Sequence, residues 1–171
     1  SLKDDCGLEI QRFTTCTPPR INGDSVDYSV MTEQPGDNPP MPFSHFTDIK
    51  KWQESKKQIS CWLVYTNETT HKIIQNNIDD SSLYNGLADA HGPRYCPSIE
   101  DKIVRYTDKN RHQLFLEPES LSTKEVYING LFTGLGEKVQ KDLLHSIKGL
   151  ENARFIRYGY AIEYDYCPPR S

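Results

Sequence analysis

Runs of alternating and clustered apolar residues divide the chain into short strands. Residues 8–13 alternate between apolar and polar, which is typical of a half-buried strand. Residues 160–166 alternate in the same way, with three tyrosines and one isoleucine on a single face. Continuous β-rich runs at 61–66, 113–116 and 126–128 predict three further strands.

Apolar positions spaced three and four residues apart predict helices between these strands. Asn67 is suited to cap a helix whose inner face carries Ile73, Ile74 and Ile78. The clearest helix spans residues 136–150, and its apolar stripe consists of Val139, Leu143, Leu144, Ile147 and Leu150. Strands and helices mix without strict βαβ alternation, which favours the α+β class, with a mixed sheet and helices packed on it.

Other segments lack a regular period. Residues 33–42 are rich in proline and predict a loop, and residues 49–58, with four lysines around Trp52, predict a solvated polar segment. The glycines between residues 130 and 136 lie near a helix start without the spacing of a dinucleotide-binding loop. They predict a strand-to-helix turn, the alternative being a loop that approaches a phosphate or a flavin.

Composition and charge exclude several classes of protein. The net charge is −4, so the chain has no uniformly basic surface for nucleic acid. No apolar run approaches the length of a membrane span. The five cysteines are scattered and form no Cys-x-x-Cys pair, so the sequence predicts no metal site and fits a reducing, cytoplasmic location. The chain begins at Ser1 without an initiator methionine, and we expect it to be a piece of a longer protein.

Candidate chemistry concentrates around Cys96. Ser98 and Asp101 have the spacing of a capping box, so a helix is predicted to begin there. Cys96 would then precede the helix start, two residues from Arg94, and both features favour the thiolate form. Cys96 is a candidate nucleophile on this basis, and the alternative is a buried structural thiol. The carboxylates Glu163 and Asp165 fit either acid–base chemistry or ion pairing with basic residues such as Lys102, Arg105, Arg154 and Arg157.

Several motifs together resemble one known family. The longest runs from Gly92 to Lys102 and reads GPRYCPSIEDK. Further motifs follow one order along the chain: TPPR at 17–20, EQPGD at 33–37, YTNETTH at 65–71, HQLFLEPE at 112–119, GLENA at 149–153 and GYAIEYD at 159–165. These segments are similar to the MnmG family, also called GidA. The resemblance covers the middle of that family's sequence.

The resemblance implies a function. Members are FAD-dependent enzymes that modify tRNA and act with the GTPase MnmE. They add an aminomethyl or carboxymethylaminomethyl group to C5 of the wobble uridine, using methylene-folate and NADH. A cytoplasmic homodimer without a membrane anchor is implied for the full-length parent. The chain alone lacks the glycine-rich phosphate-binding loop, so we expect it to be inactive and to bind little FAD.

The resemblance also implies domains and site residues. Residues 1–45 would be a flank that belongs to the FAD-binding domain, 46–158 would form an insertion domain associated with NADH and substrate, and 159–171 would be a strand that returns into the FAD-binding domain. The chain would then be a fragment of a two-domain flavoprotein that binds FAD and NAD(P). By analogy the catalytic residues would be Cys96 and Arg94, and the cofactor-binding residues would be Thr17, Arg20 and Thr133.

Two departures and two alternatives accompany this resemblance. Cys16 stands where the family usually has glycine, and the segment 132–136 differs from the family pattern. A Cβ at position 16 would be costly if the backbone φ were positive. The alternative functions are a non-catalytic docking module for tRNA or the GTPase, and a related folate- and FAD-dependent tRNA methylase.

Overall fold

The computed structural model describes residues 5–55, 58–84, 92–93 and 97–169. Within these residues the strands are β1 (Gln11–Cys16), β2 (Arg20–Asn22), β3 (Thr32–Gln34), β4 (Cys61–Tyr65), β5 (Gln113–Pro118), β6 (Glu125–Asn129), β7 (Phe155–Arg157) and β8 (Ala161–Tyr166). The helices are α1 (Ile49–Ser55), α2 (Glu68–Asn76), α3 (Ile99–Arg105) and α4 (Glu137–His145). Single 3₁₀ turns lie at Gly23–Ser25, Tyr28–Val30 and Ile78–Asp80.

The strands form two sheets. Six of them make one sheet in the order β3-β4-β5-β6-β2-β7, and β1 pairs with β8 in a separate ribbon. Every pair between these described strands is antiparallel. The α+β class is confirmed, whereas the strands do not run in mixed directions. Strands β5 and β6 illustrate the reason, because only a short connection joins Pro118 to Glu125. Neighbouring parallel strands would need a long crossover connection instead.

One apolar cluster joins the six-stranded sheet to three helices. In β5 and β6 alternate residues are buried, so that each strand turns one face to the core. The largest fully buried apolar side chains are Ile21, Ile74, Ile99, Leu114, Leu116, Ile128, Leu131, Leu143, Leu144, Ile147 and Leu150. Helix α2 contacts both α3 and α4. The helices therefore cover the apolar side of the sheet and fix the loops at its ends.

The ribbon brings the two ends of the chain together. Gln11 is paired with Tyr166 and Cys16 with Ala161. The ring of Phe13 stacks on that of Tyr166, with centroids 4.1 Å apart. The predicted strand at 8–13 thus lies three residues further along, because pairing with β8, rather than local alternation, sets its bounds. The predicted strand at 160–166 is confirmed, beginning at Ala161.

Three expectations on local structure need correction. Residues 49–55 form α1 instead of an irregular segment, and Asp48 accepts a hydrogen bond from the Lys51 N–H at 3.2 Å, as an N-cap residue does. Residues 32–34 pair with β4 before the proline-rich loop begins. Helix α4 was predicted over residues 136–150 but ends at His145, because Ile147 and the turn after it form 3₁₀-type hydrogen bonds. Gly149, with φ +85°, then reverses the chain.

Candidate functional site

The ribbon and the six-stranded sheet meet at a set of loops that we call the junction, formed by Thr17, Thr133–Leu135, Gln140 and Gly159–Tyr160. The Thr17 N–H donates to the Tyr160 carbonyl at 2.9 Å, and the Thr133 N–H donates to the Thr17 carbonyl at 3.4 Å. A Cβ at Gly159 would lie 2.7 Å from the Thr17 carbonyl oxygen, so only glycine allows this approach. Two of the predicted cofactor-binding residues, Thr17 and Thr133, are therefore neighbours.

Gln140 ties the junction to helix α4. Its amide nitrogen donates to the Leu135 carbonyl at 2.7 Å and to the Gly159 carbonyl at 2.8 Å. Its amide oxygen accepts from the Gly159 N–H at 2.8 Å. Only 2 % of the residue is exposed, so these bonds satisfy backbone groups that water does not reach. Gln140 was not predicted from the sequence, although it lies three and four residues before Leu143 and Leu144 on the buried stripe.

A buried carboxyl group lies beside the junction. Oε1 of Glu100 accepts hydrogen bonds from Ser81 Oγ at 2.9 Å, Thr133 Oγ1 at 3.0 Å and the Gly134 N–H at 2.9 Å. Oε2 is buried and has no hydrogen-bond partner among the residues described. Burial raises the pKa of Glu100, whereas hydrogen bonds from its own backbone N–H and from the other three donors oppose that shift. Sequence reasoning missed Glu100 as well; its position three residues before the buried Ile103 was the available signal.

The helix predicted to begin after Cys96 is present. Ser98 Oγ accepts from the Asp101 N–H at 3.0 Å, and the Asp101 carboxylate accepts from the Ser98 N–H at 3.1 Å. This reciprocal capping box confirms the start of α3. The Ile99 N–H donates to the Phe132 carbonyl at 2.7 Å, which attaches the start of α3 to the loop after β6. The predicted catalytic residues Cys96 and Arg94 lie outside the described residues, and their roles stay predictions.

Arg20, the third predicted cofactor-binding residue, is bound within its own chain. Its Nε lies 3.5 Å from a Glu119 carboxylate oxygen and 3.8 Å from one of Glu125. Its guanidinium carbon lies 5.0 Å from the centroid of the Tyr127 ring, and the group donates to the Pro18 carbonyl at 3.4 Å. These contacts fix the turn between β1 and β2 against β6. The cofactor-binding role of Arg20 stays a prediction.

The glycine-rich segment after β6 forms the predicted strand-to-helix turn. Gly130 has φ +95°, a conformation that side chains disfavour. Its carbonyl accepts from Lys102 Nζ at 3.2 Å, and burial lowers the pKa of Lys102. Gly136 precedes α4 without a side-chain cap, and a Cβ there would meet no described residue within 4 Å. Within the described part of the chain, the start of α4 is therefore open to approach.

Position 16 accommodates its cysteine without backbone strain. Cys16 lies at the end of β1, in extended conformation, and is 5 % exposed. The conformational strain that a Cβ would cause at positive φ therefore does not arise at this position. The departure from the family's glycine is tolerated by the strand.

The carboxylates of β8 are ion-paired with β1. Arg12 lies 2.8 Å from the Asp165 carboxylate and 3.3 Å from that of Glu163. All three side chains are well exposed, and these contacts raise the pKa of Arg12, first through the hydrogen bond to Asp165. The ion-pair interpretation is favoured over acid–base chemistry, but the partner is Arg12 rather than Arg154 or Arg157.

A second polar cluster lies away from the junction, between β4, α2 and β5. Thr66 Oγ1 lies 2.8 Å from Nε2 of His71 and accepts from the His112 N–H at 2.8 Å. The centroids of the His71 and His112 imidazole rings are 5.3 Å apart. Burial lowers the pKa of both histidines, and for His112 the neighbouring His71 and Lys102 add to the effect. This pair was not predicted from the sequence.

In the described ranges, His, Cys, Asp and Glu side chains form no group of three or more that could hold a metal ion. None of the helices within those ranges is long and apolar enough to cross a bilayer.

Comparison with known proteins gives one consistent result. A model of the family described as Glucose inhibited division protein A matches residues 1–171. A relative from Endomicrobium trichonymphae, named tRNA uridine 5-carboxymethylaminomethyl modification enzyme MnmG, is 57 % identical over 99 % of this chain and 28 % of its own length. A relative of the same name from Lactiplantibacillus plantarum is 57 % identical over 95 % of the chain and 26 % of its own length.

Solved structures agree with the sequence comparison. The structure of Aquifex aeolicus GidA in one crystal form superposes with a TM-score of 0.85 at 47 % identity, over 98 % of this chain and 28 % of that one. A second crystal form gives a TM-score of 0.82 at 43 % identity. The chain thus spans about a quarter of the length of the relatives it matches.

Proposed function

Because the chain belongs to the Glucose inhibited division protein A family, also known as MnmG, we propose that it is the central part of a tRNA-modifying enzyme. The enzyme would add a carboxymethylaminomethyl or aminomethyl group to C5 of the wobble uridine. One observation carries this proposal: relatives named for that modification are 57 % identical over 95–99 % of the chain. Since the chain spans about a quarter of them, the activity would belong to a longer protein.

The proposed nucleophile is Cys96, assisted by Arg94. A thiolate can add covalently to an electron-poor ring and thereby activate it for substitution, which is the chemistry that C5 modification of uracil requires. Arg94 would favour the thiolate through its charge, or orient the substrate. The capping box of Ser98 and Asp101 supports this assignment, because it fixes the chain two residues after Cys96.

The proposed cofactor is FAD, which would pass reducing equivalents from NADH to the reaction. The junction fits such a group in part. Gly136 leaves the start of α4 open, whereas the Thr133 hydroxyl and the Arg20 guanidinium are already bonded within the chain. We therefore assign Thr17 and Thr133 to the wall beside the flavin, and we assign Arg20 to holding the turn that follows Thr17.

The domain organisation follows from the same proposal. The ribbon of β1 and β8 supports the idea that residues near both ends belong to one domain and that the segment between them is an insertion. Strands β2 and β3 pair within the six-stranded sheet. We therefore propose that the insertion begins near Pro18 and Pro19, earlier than residue 46, and that it ends near Gly159.

The proposed partners are tRNA and an MnmE-type GTPase, with methylene-folate as co-substrate and a homodimeric parent in the cytoplasm. These assignments rest on the family and on the names of the relatives. The acidic net charge of the chain is compatible with them if the tRNA backbone is held mainly by other parts of the parent.

Complementation tests the proposed function. The longer gene that contains this sequence is expressed in a bacterial strain that lacks its own wobble-uridine enzyme, and tRNA nucleosides are measured by mass spectrometry. We expect the carboxymethylaminomethyl or aminomethyl nucleoside to return, and the empty vector to leave it absent. A nucleoside carrying only a methyl group would favour the methylase alternative. An unmodified wobble uridine, despite expression of soluble protein and of a matching GTPase, would contradict the proposal.

A further inference from the structure

The side chain of Glu100 accepts hydrogen bonds from three other described residues, and all three donate to the same oxygen. Ser81, Thr133 and Gly134 donate to Oε1, while Oε2 is buried and has no partner among the described residues. Glu100 itself is 0 % exposed. We call these four residues the Glu100 cluster. A buried carboxylate usually has both oxygens satisfied, so this one-sided arrangement requires an explanation.

The cluster connects three separate segments of the chain. Glu100 belongs to α3, Ser81 follows the 3₁₀ turn at 78–80, and Thr133 and Gly134 lie in the loop between β6 and α4. A Cβ on Gly134 would lie 2.6 Å from Ser82 Oγ, so this loop is packed directly against the segment after Ser81. The Ser82 N–H also donates to the Gly134 carbonyl at 3.1 Å. Glu100 therefore fixes the place where these segments meet.

The hydrogen bonds need a well-placed acceptor and do not need a negative charge. Among the described residues, no Lys, Arg or His forms an ion pair with Glu100. An amide oxygen has two lone pairs and can accept from the same donors, provided that it reaches the same point. A side chain one methylene shorter would keep the charge but would withdraw the acceptor by more than 1 Å, roughly the length of a carbon–carbon bond.

We propose that Glu100 is a positioning residue of the enzyme: its Oε1 holds the Thr133–Gly134 loop of the junction against α3, the helix that follows Cys96. This inference rests on the proposed function and deepens it. The side chain acts through the loop and through α3, and its contribution depends on its reach and not on its charge. No bond to substrate is made by Glu100 itself.

Two substitutions separate reach from charge. Glu100→Gln keeps the length and loses the charge, and Glu100→Asp keeps the charge and loses the length. In the full-length protein we expect wobble-uridine modification with Glu100→Gln to stay within about twofold of wild type, and with Glu100→Asp to fall roughly tenfold or more, since small displacements near a reacting centre are costly. Glu54, an exposed carboxylate of α1, supplies the matched pair Glu54→Gln and Glu54→Asp, expected to leave modification unchanged.

A second readout does not depend on activity. The Gly134 amide donates to Oε1, so its hydrogen-exchange rate and its NMR shift report the bond directly in this chain. We expect Glu100→Asp to raise the exchange rate on the order of tenfold, and Glu100→Gln to leave it protected. In the wild type the Gly134 shift should also follow the titration of Glu100, and in Glu100→Gln that dependence should vanish.

The outcomes are distinguishable. Retention in Glu100→Gln together with loss in Glu100→Asp, in both readouts, supports the proposal. Three outcomes overturn the proposal: full modification by both variants, loss of modification in both folded variants, and loss in Glu100→Gln alone. The third would show that the charge of Glu100 is required. If the wild-type gene restores no modification, the proposed function fails, and the role of Glu100 in that reaction falls with it even if the Gly134 amide behaves as expected.

Discussion

Replacing Gln140 with leucine should cost the fold about 3 kcal/mol. The substitution removes three hydrogen bonds, of 2.7, 2.8 and 2.8 Å, and leaves the Leu135 carbonyl and both backbone groups of Gly159 without their partner. A buried hydrogen bond contributes about 1 kcal/mol net, and an unsatisfied buried group costs at least that much. Leucine occupies a similar volume, so the loss reflects hydrogen bonding rather than a cavity.

The assay is urea-induced unfolding of this chain at pH 7, followed by circular dichroism. We expect the midpoint to fall while the dependence of the unfolding free energy on urea stays unchanged. Lys141→Leu, at the next and exposed position of α4, is the control and should change stability by no more than about 0.5 kcal/mol. A Gln140→Leu chain that unfolds within about 1 kcal/mol of wild type would refute the view that this amide joins α4 to the loop before β8.

Two further predictions concern α2 and the histidine pair. Burial lowers the pKa of His71 and His112 in the folded state below the ordinary histidine pKa of 6.5. As the pH falls through 6.5, the unfolded chain therefore binds more protons than the folded chain does. The unfolding free energy should therefore fall as the pH drops from 7.5 to 5.5. A variant that carries both His71→Gln and His112→Gln should show a flatter dependence of the urea midpoint on pH over this range. An unchanged slope in that variant would contradict the burial argument. Asn67→Ala removes the cap of α2 and a 2.6 Å bond to the Ser146 carbonyl, and should cost about 2 kcal/mol in urea unfolding, whereas Asn76→Ala at the exposed helix end should cost little.

Local patterns predicted those elements whose ends are fixed by their own side chains. Asn67 accepts from the Thr70 N–H at 3.1 Å, so the start of α2 is encoded within four residues. Ser98 and Asp101 encode the start of α3 in the same way. The strand at 61–65 is a continuous apolar run that the core requires. For the two helices the decisive interaction lies within a few residues, where sequence spacing reports it directly, whereas the strand pairs with distant segments and was predicted from its apolar composition.

The remaining features depend on contacts distant in sequence. Strand β2 has only three residues, and it forms because Ile21 is 0 % exposed between β6 and β7. Glu100 is polar and would be expected at the surface, yet donors from Ser81 and from the loop near residue 133 make its burial possible. Its partners lie 19 and 33 residues away. No local pattern specifies such distances.

The most direct test of the account is the requirement for the Cys96 thiol. Full-length wild type, Cys96→Ser and Cys61→Ser are expressed in the same enzyme-deficient strain, and wobble nucleosides are measured by mass spectrometry. Cys61 lies in β4, where burial raises the pKa of its thiol, so it serves as a matched control. We predict that the modified nucleoside is present with wild type and Cys61→Ser and absent with Cys96→Ser. A modified nucleoside that persists with Cys96→Ser would contradict the assignment of Cys96 as the nucleophile.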